Sequence, residues 1–146
     1  MTPRWVPRFT FGVTLAGVAV ATYLTIAHYT TPNVLACSDT GFVNCSTVTT
    51  SAQSSFLGIP VAILGLAWFL VMAVCCSPVA WRSSSAALAR ARIGLAVLGI
   101  GFVLWLVYAE LFVIGALCIW CTVIHVLTFV LFATIALFGS SPAREA

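Results

Sequence analysis

The residues of this 146-residue chain best equipped for chemistry are its six cysteines, and their spacing sorts them into three pairs. Cys37 and Cys45 bracket Ser-Asp-Thr-Gly-Phe-Val-Asn, Cys75 and Cys76 are adjacent, and Cys118 and Cys121 form Cys-Ile-Trp-Cys. A C-x-x-C at the start of a helix has a direct chemical use. Two thiols three residues apart in a first turn can close a small-loop disulfide. The free backbone N–H groups and the positive dipole end of the helix favour thiolate over thiol. A loop pair at wider spacing can swing, as a pair fixed on a helix cannot.

At about 100° per residue, Cys118, Cys121, Thr122, His125 and Thr128 share one face of the last apolar segment. An ionisable group about two turns into an apolar helix is costly and usually faces a bundle interior, so His125 is a functional candidate. It would donate a hydrogen bond to a ligand beside Cys121, or supply a proton when that ligand is reduced. Its bland alternative is a neutral imidazole satisfied by a neighbouring helix. His28 reads as an interface residue. Glu110 reads as a solvated end group, with proton handling as the other reading.

The elements that must position these residues are membrane helices. Apolar side chains make up 62% of the chain and charged ones 6%, against about 45–50% and about 25% in soluble proteins. Apolar runs cover about residues 9–28, 56–76, 93–112 and 117–138, each close to the roughly 20 helical residues that cross a bilayer core. They do not alternate as the strands of a membrane barrel do. In the first run, Ala19-Val20-Ala21 also resembles a signal-peptide cleavage site, but the run continues well past it. The expected fold is an all-α, four-transmembrane-helix bundle forming a single domain over residues 1–146. An outer loop, residues 30–55, carries Pro32, Asn33, Asp39, Gly41 and Asn44. Residues 46–55 are expected to form a short surface helix that caps the site, with Gly58 and Pro60 where the second span begins.

Six arginines and no lysines give a net charge of +3, scattered singly rather than clustered as a nucleic-acid surface requires. Arg4, Arg8, Arg82, Arg90, Arg92 and Arg144 all fall on one side of the expected spans. By the positive-inside rule that side is cytoplasmic, which puts both termini inside and the loop outside, with Asp39 and Glu110. Trp5, Trp81 and Trp120 lie near span ends, as belt aromatics do. Topology then divides the cysteines. Cys75 and Cys76 face the reducing cytosol and read as packing residues. Cys37, Cys45, Cys118 and Cys121 share the outer surface and can pair in three ways. Two pairs there suggest two redox centres exchanging disulfides through mixed intermediates. Two static disulfides or a four-thiolate zinc site are the competing readings. Zinc is disfavoured by the C-x7-C loop spacing, and a disulfide across so short a helical loop gains little from chain entropy.

A disulfide made de novo needs an acceptor for two electrons, and the chain carries no flavin or dinucleotide fingerprint. The expected acceptor is a lipid-soluble quinone in a four-helix pocket, with Cys121 deeper than Cys118 and nearer to it; no metal and no flavin are expected.

The pattern resembles the vitamin K epoxide reductase family in its small bacterial form, over nearly the whole chain. The resemblance is carried by Cys37 and Cys45, by Ser46-Thr47-Val48-Thr49-Thr50-Ser51, by Phe56-Leu57-Gly58-Ile59-Pro60 with Leu64-Gly65, and by Leu117-Cys118-Ile119-Trp120-Cys121. Disulfide-forming quinone reductases of the DsbB type carry their C-x-x-C at an earlier span and match less well. The resemblance implies a relay. The loop pair oxidises a separate secreted or periplasmic thioredoxin-fold protein, DsbA-like, with Cys37 facing that partner. Cys45 then exchanges with Cys118, and Cys121 passes electrons to a quinone of the menaquinone or ubiquinone type. Ser51 looks like the family's serine in the covering helix and joins Cys121 and His125 as quinone-binding candidates. Two departures stand out: Ile-Trp inside the C-x-x-C where bacterial relatives often begin with proline, and His125 where relatives commonly have an aromatic residue. The expected function is thus a quinone-dependent dithiol oxidase, supporting disulfide formation at the outer face of a bacterial cytoplasmic membrane. The alternative is a non-enzymatic membrane protein braced by two outer disulfides, and the two differ in whether the cysteines cycle.

Overall fold

The computed structural model describes residues 2–30 and 34–139. Arg144 and the loop residues Pro32 and Asn33 lie outside the described residues. The first apolar run forms α1, Val6–Tyr29, with Pro7 in its first turn, where a missing N–H leaves no bond unmade. The helix runs unbroken through Ala19–Ala21 and buries Ala21, Leu24 and Ala27.

The second apolar run enters its helix later than its hydropathy predicts. Leu57 and Gly58 take φ values of 52° and 81° and turn β1, Ser55–Phe56, back on β2, Ile59–Pro60. Two consecutive left-handed residues are the geometry of a two-residue hairpin, and glycine is at home in it. Helix α3, Val61–Cys75, therefore has 15 residues and a length of about 22 Å. The expected surface helix is likewise divided, into a short α2, Cys45–Thr49, and a single 3₁₀ turn, Ala52–Ser54.

After α3, a short helix α4, Pro78–Arg82, is capped by Ser77, whose hydroxyl accepts from the Ala80 N–H at 3.2 Å. Helix α5, Ala86–Tyr108, is capped by Ser85 and begins seven residues before the predicted span at 93. It continues as a π-helical turn, Ala109–Ile114, that Gly115 ends in a left-handed conformation. The last helix, α6, is Ile119–Phe138. Among the described residues, three stretches are long and apolar enough to cross a membrane: α1, α5 with its π turn, and α6; α3 is apolar but shorter.

Helix α1 packs between α3 and α6, α6 packs on α5, and the α3–α5 seam that closes the ring is the loosest. At Gly17 a Cβ would collide with the Phe69 ring, so glycine is what lets α1 and α3 approach this closely. Large apolar side chains such as Leu98, Leu104, Phe129 and Leu137 point outward. The fold is a helical membrane bundle, apolar outside as well as in.

The two ends of the bundle differ. At one end Trp5 packs edge-on against Phe138, with ring centroids 5.4 Å apart, joining the start of α1 to the end of α6. Arg92, expected in the polar connection between spans, is instead 4% exposed within α5. Its guanidinium lies 3.8 Å from the Trp81 ring centroid and donates to the carbonyls of Cys75 and Ala80 at 3.0 and 3.3 Å. Trp81 in turn donates to Thr10 at 3.1 Å, so it is a packing residue rather than a free belt aromatic. Cys76 lies in the core at this end with Met72, Ala96, Leu131 and Ile135. The other end holds Cys37, Cys45, Cys118 and Cys121.

Candidate redox site

Two aromatic residues fix the chain just ahead of Cys37. The Tyr23 hydroxyl on α1 donates to the Val34 carbonyl and accepts from the Ala36 N–H, both at 2.9 Å. The Trp120 indole on α6 donates to the Ala36 carbonyl at 3.2 Å and meets the Tyr23 ring edge-on, centroids 4.9 Å apart.

Downstream, the loop is strapped to the segment leading into α6. Leu117 donates its N–H to the Phe42 carbonyl at 2.8 Å and accepts from the Asn44 N–H at 2.9 Å, a parallel bridge of Val43 with Leu117. Asn44 and Leu117 are the residues immediately before Cys45 and Cys118, so this strap sets the two cysteines side by side. Asn44 also caps α2, its Oδ1 accepting from the Thr47 N–H at 2.9 Å, and Asp39 accepts from the Ser46 N–H at 3.3 Å. Cys45 is thus held as the first residue of a helix.

Cys37 and Cys45 form a disulfide with Cα atoms 6.1 Å apart, while Cys118 and Cys121 are free thiols. Cys45 and Cys118 are fully buried in one cluster with Leu24, Leu35 and Val48, and Cys37 and Cys121 pack against it. The four cysteines that the sequence separates by up to 84 positions (37 to 121) are therefore brought together. Cys118 takes the N-cap position of α6, and its sulfur accepts the Cys121 N–H at 3.3 Å. A sulfur that replaces a capping oxygen at a helix N-terminus is placed where negative charge is favoured.

Beside this cluster lies a cavity of about 370 Å³, within the range of small-molecule sites. Cys121, His125, Ser51 and Glu110 all line it, among walls made largely of apolar side chains. Cys118 is not in that lining and sits behind Cys121, with Cys45. Of the three quinone-binding candidates, Cys121 and His125 come from α6, and Ser51 comes from the segment that covers the cavity. Ser51 donates its hydroxyl proton to the Val48 carbonyl at 2.7 Å, which leaves its lone pairs for other contacts. His125 is 8% exposed.

One expectation is corrected here. Glu110 is not a solvated end group: it is 4% exposed, turned inward by the π-helical turn on which it sits. A single extra residue per turn shifts which side chains face in, and apolar periodicity alone does not announce it. The roles of Tyr23 and Trp120 were also missed. The available signal was Trp120's position inside the C-x-x-C, from which its indole reaches the Ala36 carbonyl next to Cys37.

A helical membrane bundle with one closed and one open cysteine pair beside an apolar cavity, Cys121 alone of the four on its wall, has the parts of a membrane thiol oxidoreductase. The chain is a member of the Vitamin K epoxide reductase family, whose sequence model matches residues 8–136, from the first turn of α1 almost to the end of α6. A search of curated proteins returned no match.

Proposed function

We propose that the protein oxidises the dithiol of a separate thioredoxin-fold partner outside the cytoplasm and passes the electrons through its two cysteine pairs to a membrane quinone. The supporting observation is the order of the groups: Cys37 and Cys45 in the loop, Cys118 beside Cys45, and Cys121 on the cavity wall. In this reading a partner thiolate attacks the Cys37–Cys45 disulfide at Cys37, and a second partner thiol resolves the mixed disulfide, leaving the partner oxidised and the loop pair reduced. Cys45 thiolate then attacks Cys118 in an oxidised Cys118–Cys121 pair, and Cys37 resolves that bond. The loop disulfide is restored and the helix pair becomes a dithiol, which is the arrangement of bonds seen here. The helix dithiol finally loses two electrons and two protons to the quinone, giving a disulfide and a hydroquinone. His125 donates a hydrogen bond to the quinone, and Ser51 contacts it from the covering segment.

The same reading takes α3 as the fourth span, assisted by its preceding hairpin, with both termini cytoplasmic and the cysteines at the outer face of a bacterial cytoplasmic membrane. Arg4, Arg8, Arg82 and Arg90 near the opposite end support that orientation.

The test is anaerobic loss of a short-chain quinone on mixing with a reduced thioredoxin-fold protein. Cys121→Ala is expected to abolish quinone loss. Cys45→Ala and Cys118→Ala are each expected to stop transfer while the chain stays inserted in the membrane. Wild-type turnover in any of the three would remove that cysteine from the relay. Absence of turnover in the unaltered protein, with a loop disulfide that resists mild reductant, would leave a static brace as the better reading.

A further inference from the structure

We propose that Glu110 is the proton carrier of the cavity, taking the proton of the Cys118 thiol and delivering it to a quinone oxygen. The assignment rests on the quinone reading above and adds to it a residue outside the cysteine relay.

Glu110 stands in the π turn at the end of α5, with Leu111, Phe112 and Val113 exposed after it. Its backbone carbonyl accepts from the N–H groups of Gly115 and Ala116, at 2.9 and 3.2 Å, so the turn that reverses the chain into Cys118 is built on this residue. π turns of this kind recur at functional sites. Its carboxylate faces the backbone N–H of Cys118. The other side-chain oxygen, Oε2, is buried without a hydrogen-bond partner among the described residues. The side chain lines the same cavity as Cys121.

A purely structural role does not account for this arrangement. Accepting one N–H from Cys118 requires one oxygen, and a glutamine would supply it without burying an acid. A second, unpartnered carboxylate oxygen costs free energy, because no hydrogen bond offsets the water it gives up. What a carboxyl group has and an amide lacks is the ability to gain and release a proton.

The surroundings leave few other carriers. From α6, the titratable groups near Glu110 are Cys118, Cys121 and His125, and from α1 the cavity is reached by His28. Helix α3 contributes only apolar residues and Gly65, and the covering segment contributes Ser51, Gln53 and other uncharged groups. Arg82, Arg90 and Arg92 belong to the opposite end. Among the described residues Glu110 is the only carboxylate lining the cavity.

The step balances as follows. Cys118 and Cys121 lose two protons and two electrons as their disulfide closes, and the quinone gains two electrons and two protons as it becomes a hydroquinone. The Glu110 carboxylate accepts the Cys118 proton and the resulting acid releases it to a quinone oxygen, so Glu110 ends as it began. The second proton comes from the Cys121 thiol, which lines the same cavity.

The test uses the full chain in detergent, dithiothreitol as reductant and a short-chain quinone as acceptor. Glu110→Gln, which keeps the acceptor for the Cys118 N–H, is expected to slow quinone reduction about 100-fold, the lower end of general acid–base contributions. Reduction of the Cys37–Cys45 disulfide by dithiothreitol should proceed at the wild-type rate. The limb of the pH–rate profile that Glu110 supplies should disappear in Glu110→Gln and survive in Glu110→Asp, which also serves if the glutamine variant does not fold. An infrared difference spectrum gives a readout free of quinone: closing the Cys118–Cys121 pair with diamide removes the thiol that the Glu110 carboxylate faces and should shift its carboxylate stretch, and Glu110→Gln should lack that shift. Wild-type rate and pH profile in Glu110→Gln, or no carboxyl change in the wild-type spectrum, would overturn the assignment. A wild-type protein that shows the carboxyl change but reduces no quinone would instead refute the quinone reading and leave Glu110 coupled to the dithiol.

Discussion

At the scale of single residues, cysteine chemistry was open to reading because it depends on spacing and residue type. A C-x-x-C before an apolar run predicts a helix N-terminus, and the structure places Cys118 there as the cap. Pairing was less accessible. The sequence left three ways to join four cysteines, and backbone hydrogen bonds of Leu117 with Phe42 and Asn44 are what bring Cys45 to Cys118. Such bonds carry no side-chain signature. Glu110 was misread for a related reason: its distance from the end of an apolar run suggests exposure, whereas one π turn rotates it inward. His125 was easier to place, because its helical spacing from Cys121 puts both on one face, and both line the cavity. If His125 donates a hydrogen bond to the quinone carbonyl, His125→Phe keeps the volume and loses the donor. A hydrogen bond with a net worth of about 1 kcal/mol predicts a KM for quinone raised about fivefold. Steady-state kinetics with a short-chain quinone measure this, with dithiothreitol reduction of the loop disulfide unchanged as the control. An unaltered KM would return His125 to the role of a packing residue.

At the scale of elements, long apolar runs were legible and their boundaries were not. Residues 56–60 continue the apolar run of α3, but positive φ at Leu57 and Gly58 folds them into a hairpin. Apolar content cannot distinguish a lipid-facing helix turn from an apolar hairpin, and the punctuation Gly58-Ile59-Pro60 was the available warning. Arg92 shows the converse. A charged residue suggested a loop, yet the Trp81 ring and two carbonyls satisfy it inside α5. The loop carrying Cys37 depends on one contact no periodicity reveals, the Tyr23 hydroxyl between Val34 and Ala36. Tyr23→Phe retains the ring packed on Trp120 and removes both hydrogen bonds. Amide exchange at Ala36 is expected to accelerate about fivefold or more, from a net loss of about 1 kcal/mol per bond. Partner oxidation should slow while quinone reduction by dithiothreitol-reduced helix pairs does not, because the cavity wall contains none of the affected groups. Exchange measured by mass spectrometry at residues 34–37 checks the first effect and turnover with each reductant checks the second. Protection equal to wild type would show that Trp120 alone holds the segment.

At the scale of the whole molecule, the fold class follows from composition, since so apolar a chain cannot use water as its main solvent. The proposed direction of insertion rests on a smaller signal, the placement of a few arginines. The structure refines that signal: Arg92 is internally satisfied, so Arg4, Arg8, Arg82 and Arg90 are the described arginines that remain to orient the bundle. These lie at the end opposite the redox cysteines, which predicts a specific labelling pattern. Thr50, exposed after α2, and Ser84, exposed between α4 and α5, mark the two ends of the molecule. With a membrane-impermeant maleimide on intact bacterial cells, Thr50→Cys should react above the background of the natural cysteines. Ser84→Cys should react only after lysis. Orientation matters to the chemistry as much as to the topology, because the cytosol keeps thiols reduced and a dithiol oxidase has little net work to do there. The reverse pattern would put the Cys37–Cys45 disulfide in the reducing compartment, and oxidation of a secreted partner would then be untenable even if every cysteine variant lost turnover.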